Sequence, residues 1–99
     1  MTTLELSSEM GDFLASRIQG QQLRERMEPH LTSGQPLTID FANVSMVMQP
    51  FLEASIGDLI RSRGPQIMRY LKFRNCNHES HAMLHLVVEL STSHWQDKR

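Results

Sequence analysis

The chain has 99 residues, 39% hydrophobic and 21% charged, with ten Lys plus Arg against eleven Asp plus Glu for a formal net charge of −1. That length supports one hydrophobic core, since two would each fall near or below the size at which a domain holds itself together, so a single domain over residues 1–99 is expected. The composition excludes a solvated tail, the balanced charge removes any global pull toward nucleic acid, and no apolar run reaches the roughly 18 residues that cross a bilayer.

Residues 2–6 alternate as a short strand, with Leu4 and Leu6 on one face and Thr3 and Glu5 on the other. Residues 7–12 are polar with a glycine, and Phe13, Leu14 and Ala15 are too short a run to classify. Ser16 followed three residues later by Gln19 has the form of a capping box, which starts a helix. Ile18, Leu23, Met27 and Leu31 form its apolar stripe, and Gln21, Gln22, Arg24, Glu25 and Glu28 its wet side. Pro29 weakens the last turn and Gly34 ends it.

Residues 37–44 read as a strand with Leu37, Ile39, Phe41 and Val44 directed into a core. At Pro50 the period changes: proline suits a first helical turn, and Phe51, Leu52, Ser55, Ile56, Leu59 and Ile60 recur at helical intervals until Gly64 and Pro65. Residues 67–73 suggest a helical turn running into a strand, and residues 75–79 a loop. Met83, Leu86, Val87, Leu90 and Trp95 mark a final helix. Strands and helices that alternate in this order predict an α/β domain with helices packed on a sheet.

The segment Ser16-Arg17-Ile18-Gln19-Gly20, leading through Leu23 and Met27 to Leu37-Thr38-Ile39-Asp40-Phe41-Ala42-Asn43-Val44 and then Pro50-Phe51-Leu52-Glu53-Ala54, resembles the STAS-like domain family of unknown function. Its members are small bacterial relatives of the domain found in sulfate transporters and anti-sigma factor antagonists. The shared pattern is an Arg and a Gly at a helix start, a strand ending Asp-Phe-x-x-Val, a short turn, and a helix that opens with Phe-Leu and an acid. The resemblance implies a mixed sheet of about four strands with helices against it, no catalytic residues and no cofactor. It also implies docking onto a protein partner, which in the antagonist branch is a histidine-kinase-like ATPase that phosphorylates a serine at the turn. The acceptor position falls here at Gln49 or Pro50, neither of which takes a phosphate, while Ser45 and Ser55 lie nearby but off the motif.

Partner contact is therefore expected at the strand-to-helix turn, on Met46, Met48, Gln49 and Phe51 with Asp40 behind them. Thioethers suit a surface that repacks on partners. A carboxylate at Asp40 can organise the turn by accepting backbone N–H bonds. It has no evident acid–base companion, since Glu53 and Asp58 have the spacing of a solvated helix face.

Two other constellations carry chemistry. His78, His81 and His85 at helical spacing, with Cys76 before them, offer zinc-type donors but match no HExxH or zinc-finger form, so no metal is expected. Arg61, Arg63, Arg69, Lys72 and Arg74, interleaved with Tyr70 and Phe73, form the alternative, a basic patch for nucleic acid. A patch complementary to an acidic protein suits the balanced charge better. With a single cysteine and no signal-like start, a cytoplasmic location is expected. The sequence thus reads as a non-enzymatic regulatory interaction module, with a nucleic-acid accessory protein as the alternative and a small metal-binding protein third.

Overall fold

Parallel pairing organises the computed structural model, which describes residues 2–97. Strands β1 (Thr2–Glu5), β3 (Leu37–Asp40) and β5 (Leu71–Arg74) form a three-stranded sheet in the order β1-β3-β5. Their register aligns Leu4, Ile39 and Phe73 in one row and Glu5, Asp40 and Arg74 in the next. Strands β2 (Phe13–Leu14) and β4 (Met46–Val47) make a second, two-stranded parallel sheet. The expected mixed sheet of about four strands is replaced by these two parallel ones. Each return to a neighbouring strand passes through helix, and a helical crossover brings a strand back in the same direction.

On the three-stranded sheet, Leu4, Leu37, Ile39 and Leu71 turn toward the helices, while Thr3, Glu5, Lys72 and Arg74 on the other side are exposed. The first strand stops sooner than its alternation suggests, because Leu6 opens α1 (Leu6–Met10) and is buried from there. The strand expected over residues 37–44 likewise ends at Asp40; Phe41 and Val44 still reach the core, now from a turn.

Helix α2 (Arg17–Ser33) begins with the capping box, Ser16 Oγ accepting from the Gln19 N–H at 3.1 Å. It ends where Gly34 takes a left-handed conformation at φ 69°. Its inner face is Gly20, Leu23, Met27 and Leu31. Ile18, expected on that stripe, is exposed, because it lies two residues before Gly20 and so about 200° around the helix from it.

Helix α3 (Gln49–Leu52), a π-helical turn (Glu53–Gly57) and α4 (Asp58–Arg63) follow one another without leaving helical backbone. The pattern explains the wide turn. Besides the small Ala54 and Gly57, the inward residues come in pairs, Phe51 and Leu52, Ser55 and Ile56, Leu59 and Ile60, which recur every fourth residue. Four residues of α-helix overshoot one turn by about 40°, so the stripe would drift by about 80° between the first and last pair. A π-turn, with more residues per revolution, absorbs that drift.

At Gly20 this helix approaches α2 so closely that a Cβ would lie 2.4 Å from the Phe51 carbonyl oxygen and 2.8 Å from Ala54 Cβ. A 3-10 helix (Pro65–Tyr70) leads into β5, as the sequence suggests. Helix α5 (His78–Asp97) is capped by Asn77, whose Oδ1 accepts from the Ser80 N–H at 2.8 Å. Its inner face is Ser80, Leu84, Val87 and Ser91, whereas Leu86 and Leu90, expected inside, are exposed. No helix among the described residues is long and apolar enough to cross a membrane.

Candidate functional site at the strand-to-helix turn

Asp40, the last residue of the central strand, is buried and accepts two bonds on one oxygen. The Ala42 N–H donates at 2.9 Å and Asn75 Nδ2 at 2.8 Å. The Asn75 bond first, and the Ala42 N–H second, hold its carboxyl below the usual carboxylate value against the opposing effect of burial. Asn75, in left-handed backbone at φ 60°, follows β5, so Asp40 ties the ends of two neighbouring strands together. It is buried behind the surface and holds the turn from there.

The chain then reverses, with the Val44 N–H donating to the Phe41 carbonyl at 3.0 Å and Asn43 at φ 64°. Asp12, just before β2, receives the next segment: its carbonyl accepts from Ser45 N–H at 2.8 Å and Ser45 Oγ at 3.0 Å. Asn77 Nδ2 reaches the Ser45 carbonyl from the start of α5 at 3.3 Å. The Met48 N–H donates to the Leu14 carbonyl at 2.9 Å. The turn is therefore held on both sides by bonds from sequence-distant segments, which gives it a fixed shape before anything binds.

On this frame the side chains divide. Leu14 and Val47, opposite each other across the two-stranded sheet, are buried. Their neighbours Phe13 and Met46, also paired, are 52% and 42% exposed, and Met48, two residues on, is 42% exposed. Residues two apart in extended chain face the same way, so Phe13, Met46 and Met48 share one apolar surface. Gln49 is half-buried beside it and Pro50 exposed. Phe51 is 0% exposed, which corrects its assignment to the contact surface: its carbonyl side meets α2 at Gly20 and its ring belongs to the core. Phe13 is the residue that sequence reasoning missed, because a two-residue strand shows no period.

Neither nearby serine resembles a ready phosphate acceptor. Ser55 is buried, donating to the Phe51 carbonyl at 2.9 Å, and Ser45 is exposed but bonded to Asp12.

The basic stretch separates into two. Arg61 Nη2 meets both Glu53 oxygens at 3.0 Å and Nη1 meets Asp58 at 2.9 Å. Arg63 reaches Thr32 at 3.0 Å and Glu28 at 3.5 Å. Both are occupied within the fold, so the five-membered basic patch is corrected to three: Arg69, Lys72 and Arg74 are exposed and form no ion pair among the described residues.

His78, His81 and His85 lie exposed on α5, with His85 Nε2 3.0 Å from Glu89. Among the described residues no group of three or more His, Cys, Asp or Glu side chains gathers to hold a metal. Cys76 is half-buried, and that burial, followed by the Asp40 charge, raises its thiol above the ordinary value and disfavours a reactive thiolate.

A family model described as a STAS-like domain of unknown function matches residues 19–81, which span α2 from Gln19 onward, β3, the turn and the start of α5. No curated protein and no solved structure matches the chain.

Proposed function

The chain belongs to the STAS-like domain family of unknown function, and from that premise we propose that it is a non-enzymatic regulatory module that binds another protein through the strand-to-helix turn. The observation that carries this reading is the shared exposure of Phe13, Met46 and Met48 on a turn held by Asp12, Asp40 and Asn77. Apolar side chains on a rigid frame bind without the ordering cost that a mobile loop incurs, and thioethers adapt to the partner's shape. A histidine-kinase-like ATPase is the partner class that relatives of this domain suggest. With Gln49 and Pro50 where those relatives carry their acceptor serine, the module docks without being phosphorylated there.

The test replaces both exposed methionines, Met46→Asp with Met48→Asp. Stability by chemical denaturation is expected to change by less than about 0.5 kcal/mol, because both side chains lie on the exposed face of the turn and not in the core. Affinity for the partner isolated with the wild-type chain should fall by at least about tenfold, since two uncompensated carboxylates would be desolvated at the contact. A folded double variant with unaltered affinity would move the contact elsewhere.

A further inference from the structure

A second surface lies at the free edge of the three-stranded sheet. Strand β5 pairs with β3 on one side, and no described strand lies on the other. The Arg74 carbonyl accepts from the Phe41 N–H at 2.8 Å, so Arg74 turns its backbone toward β3. In a parallel ladder alternate residues bond to opposite neighbours, which directs the N–H and carbonyl of Phe73 outward. Beside that edge, on the core side, runs a groove of about 150 Å³ between β5 and α5, lined by Met68, Phe73, Leu84 and Val88 and rimmed by His81 and His85. On the opposite face of the same strand Lys72 and Arg74 are exposed, with Arg69 just before it. They form no ion pair among the described residues, whereas Arg24, Arg26, Arg61 and Arg63 all do.

We propose that the β5 edge and its groove receive an extended segment of a partner protein in which acidic residues alternate with apolar ones. An added strand would satisfy the outward backbone groups of Phe73. Its alternate side chains point to opposite faces, so one set enters the groove beside Phe73 and Leu84 while the other meets Lys72 and Arg74. Charge complementarity selects the occupant. A second copy of β5 would set Lys72 and Arg74 against the same cations, an arrangement that repels. Nucleic acid would use the cations but leave the groove and the strand edge without a role. This surface does not rest on the methionine turn and is tested apart from it.

The probe is a fluorescein-labelled peptide of alternating glutamate and valine, about six residues long to match one strand, with an alternating lysine and valine peptide as its counterpart. Fluorescence anisotropy with the full chain should show saturable binding of the glutamate peptide, at least about tenfold tighter than the lysine peptide. Lys72→Glu with Arg74→Glu, at exposed positions, should weaken the glutamate peptide by about tenfold or more. Amide hydrogen exchange followed by NMR should slow at Phe73 when that peptide binds, a signature that surface charge attraction alone does not produce. The Met46→Asp, Met48→Asp chain should bind the peptide as the wild type does, whatever becomes of the turn's own partner. Equal affinity for both peptides, indifference to the charge reversal, or unaltered exchange at Phe73 would each overturn the proposal. So would tighter binding of a single-stranded oligonucleotide, or self-association of the chain that the peptide does not displace.

Discussion

Phe51 and Met48 are three residues apart and stand in opposite environments. Around Phe51 the helix meets α2 at backbone distance, and the space a Cβ would need at Gly20 is already filled by the Phe51 carbonyl. Around Met48 the backbone is equally well bonded, yet the side chains of Phe13, Met46 and Met48 stay in water. Local hydrogen bonding therefore does not separate core from contact surface in this chain. What separates them is whether a second helix closes over the residue.

Phe51→Ala tests the closed side most severely. Removing a fully buried ring leaves a cavity in the core, and the expected loss is about 3–5 kcal/mol by denaturant unfolding. A loss no larger than that of the methionine replacements would abolish the contrast. Gly20→Ala asks whether the closeness of the two helices is essential. The added methyl must push against a carbonyl oxygen and the Ala54 methyl, neither of which is a flexible side-chain end, and a loss of about 1–3 kcal/mol is expected.

A smaller effect belongs to Asp40→Asn, which keeps an acceptor for Ala42 and Asn75 but removes the charge that strengthens both bonds, at about 1 kcal/mol near neutral pH. Because the folded carboxyl lies below its ordinary 3.8, its contribution is fully present above that pH and fades as pH falls through the folded value. Denaturant unfolding of wild type and variant should therefore diverge at neutral pH and converge in acid. A gap that is constant with pH would show that the charge is not what holds the strand ends together.

Much of the architecture was legible because its signals are local. The Ser16 and Gln19 capping box, the left-handed Gly34, Pro50 in a first turn and the Gly64 stop each operate within a few residues, and each is where the sequence indicates. The strand β3 was legible in two of its core residues, Leu37 and Ile39, though its end was not, since Asp40 closes it through Asn75, which is distant in sequence. The site was half legible. Methionines near a proline marked the turn, but only the pairing of Phe13 with Met46 shows which neighbours share their surface. Phe51 was misassigned because its direction depends on the phase of the helix against α2. Arg61 illustrates a signal that was present but unread: Asp58 stands three residues before it, the spacing of a helical ion pair.

The π-turn also bears on how this helix tolerates changes of length. Between Phe51 and Leu59 the chain holds one residue more than an ordinary α-helix needs to bring both to the same side. Remove one residue from 53–57 and seven steps join them, which returns an α-helix to within about 20° of its starting face. Leu59 and Ile60 after the turn would keep their bearing relative to Phe51 before it, while Ala54, which lies inside the turn against Gly20, would have to be repacked. The wide turn thus sets the phase of the whole element: it is the place where the chain can shorten by one residue while Phe51 on one side and Leu59 on the other still face the same way, at the cost of the buried packing of the turn itself.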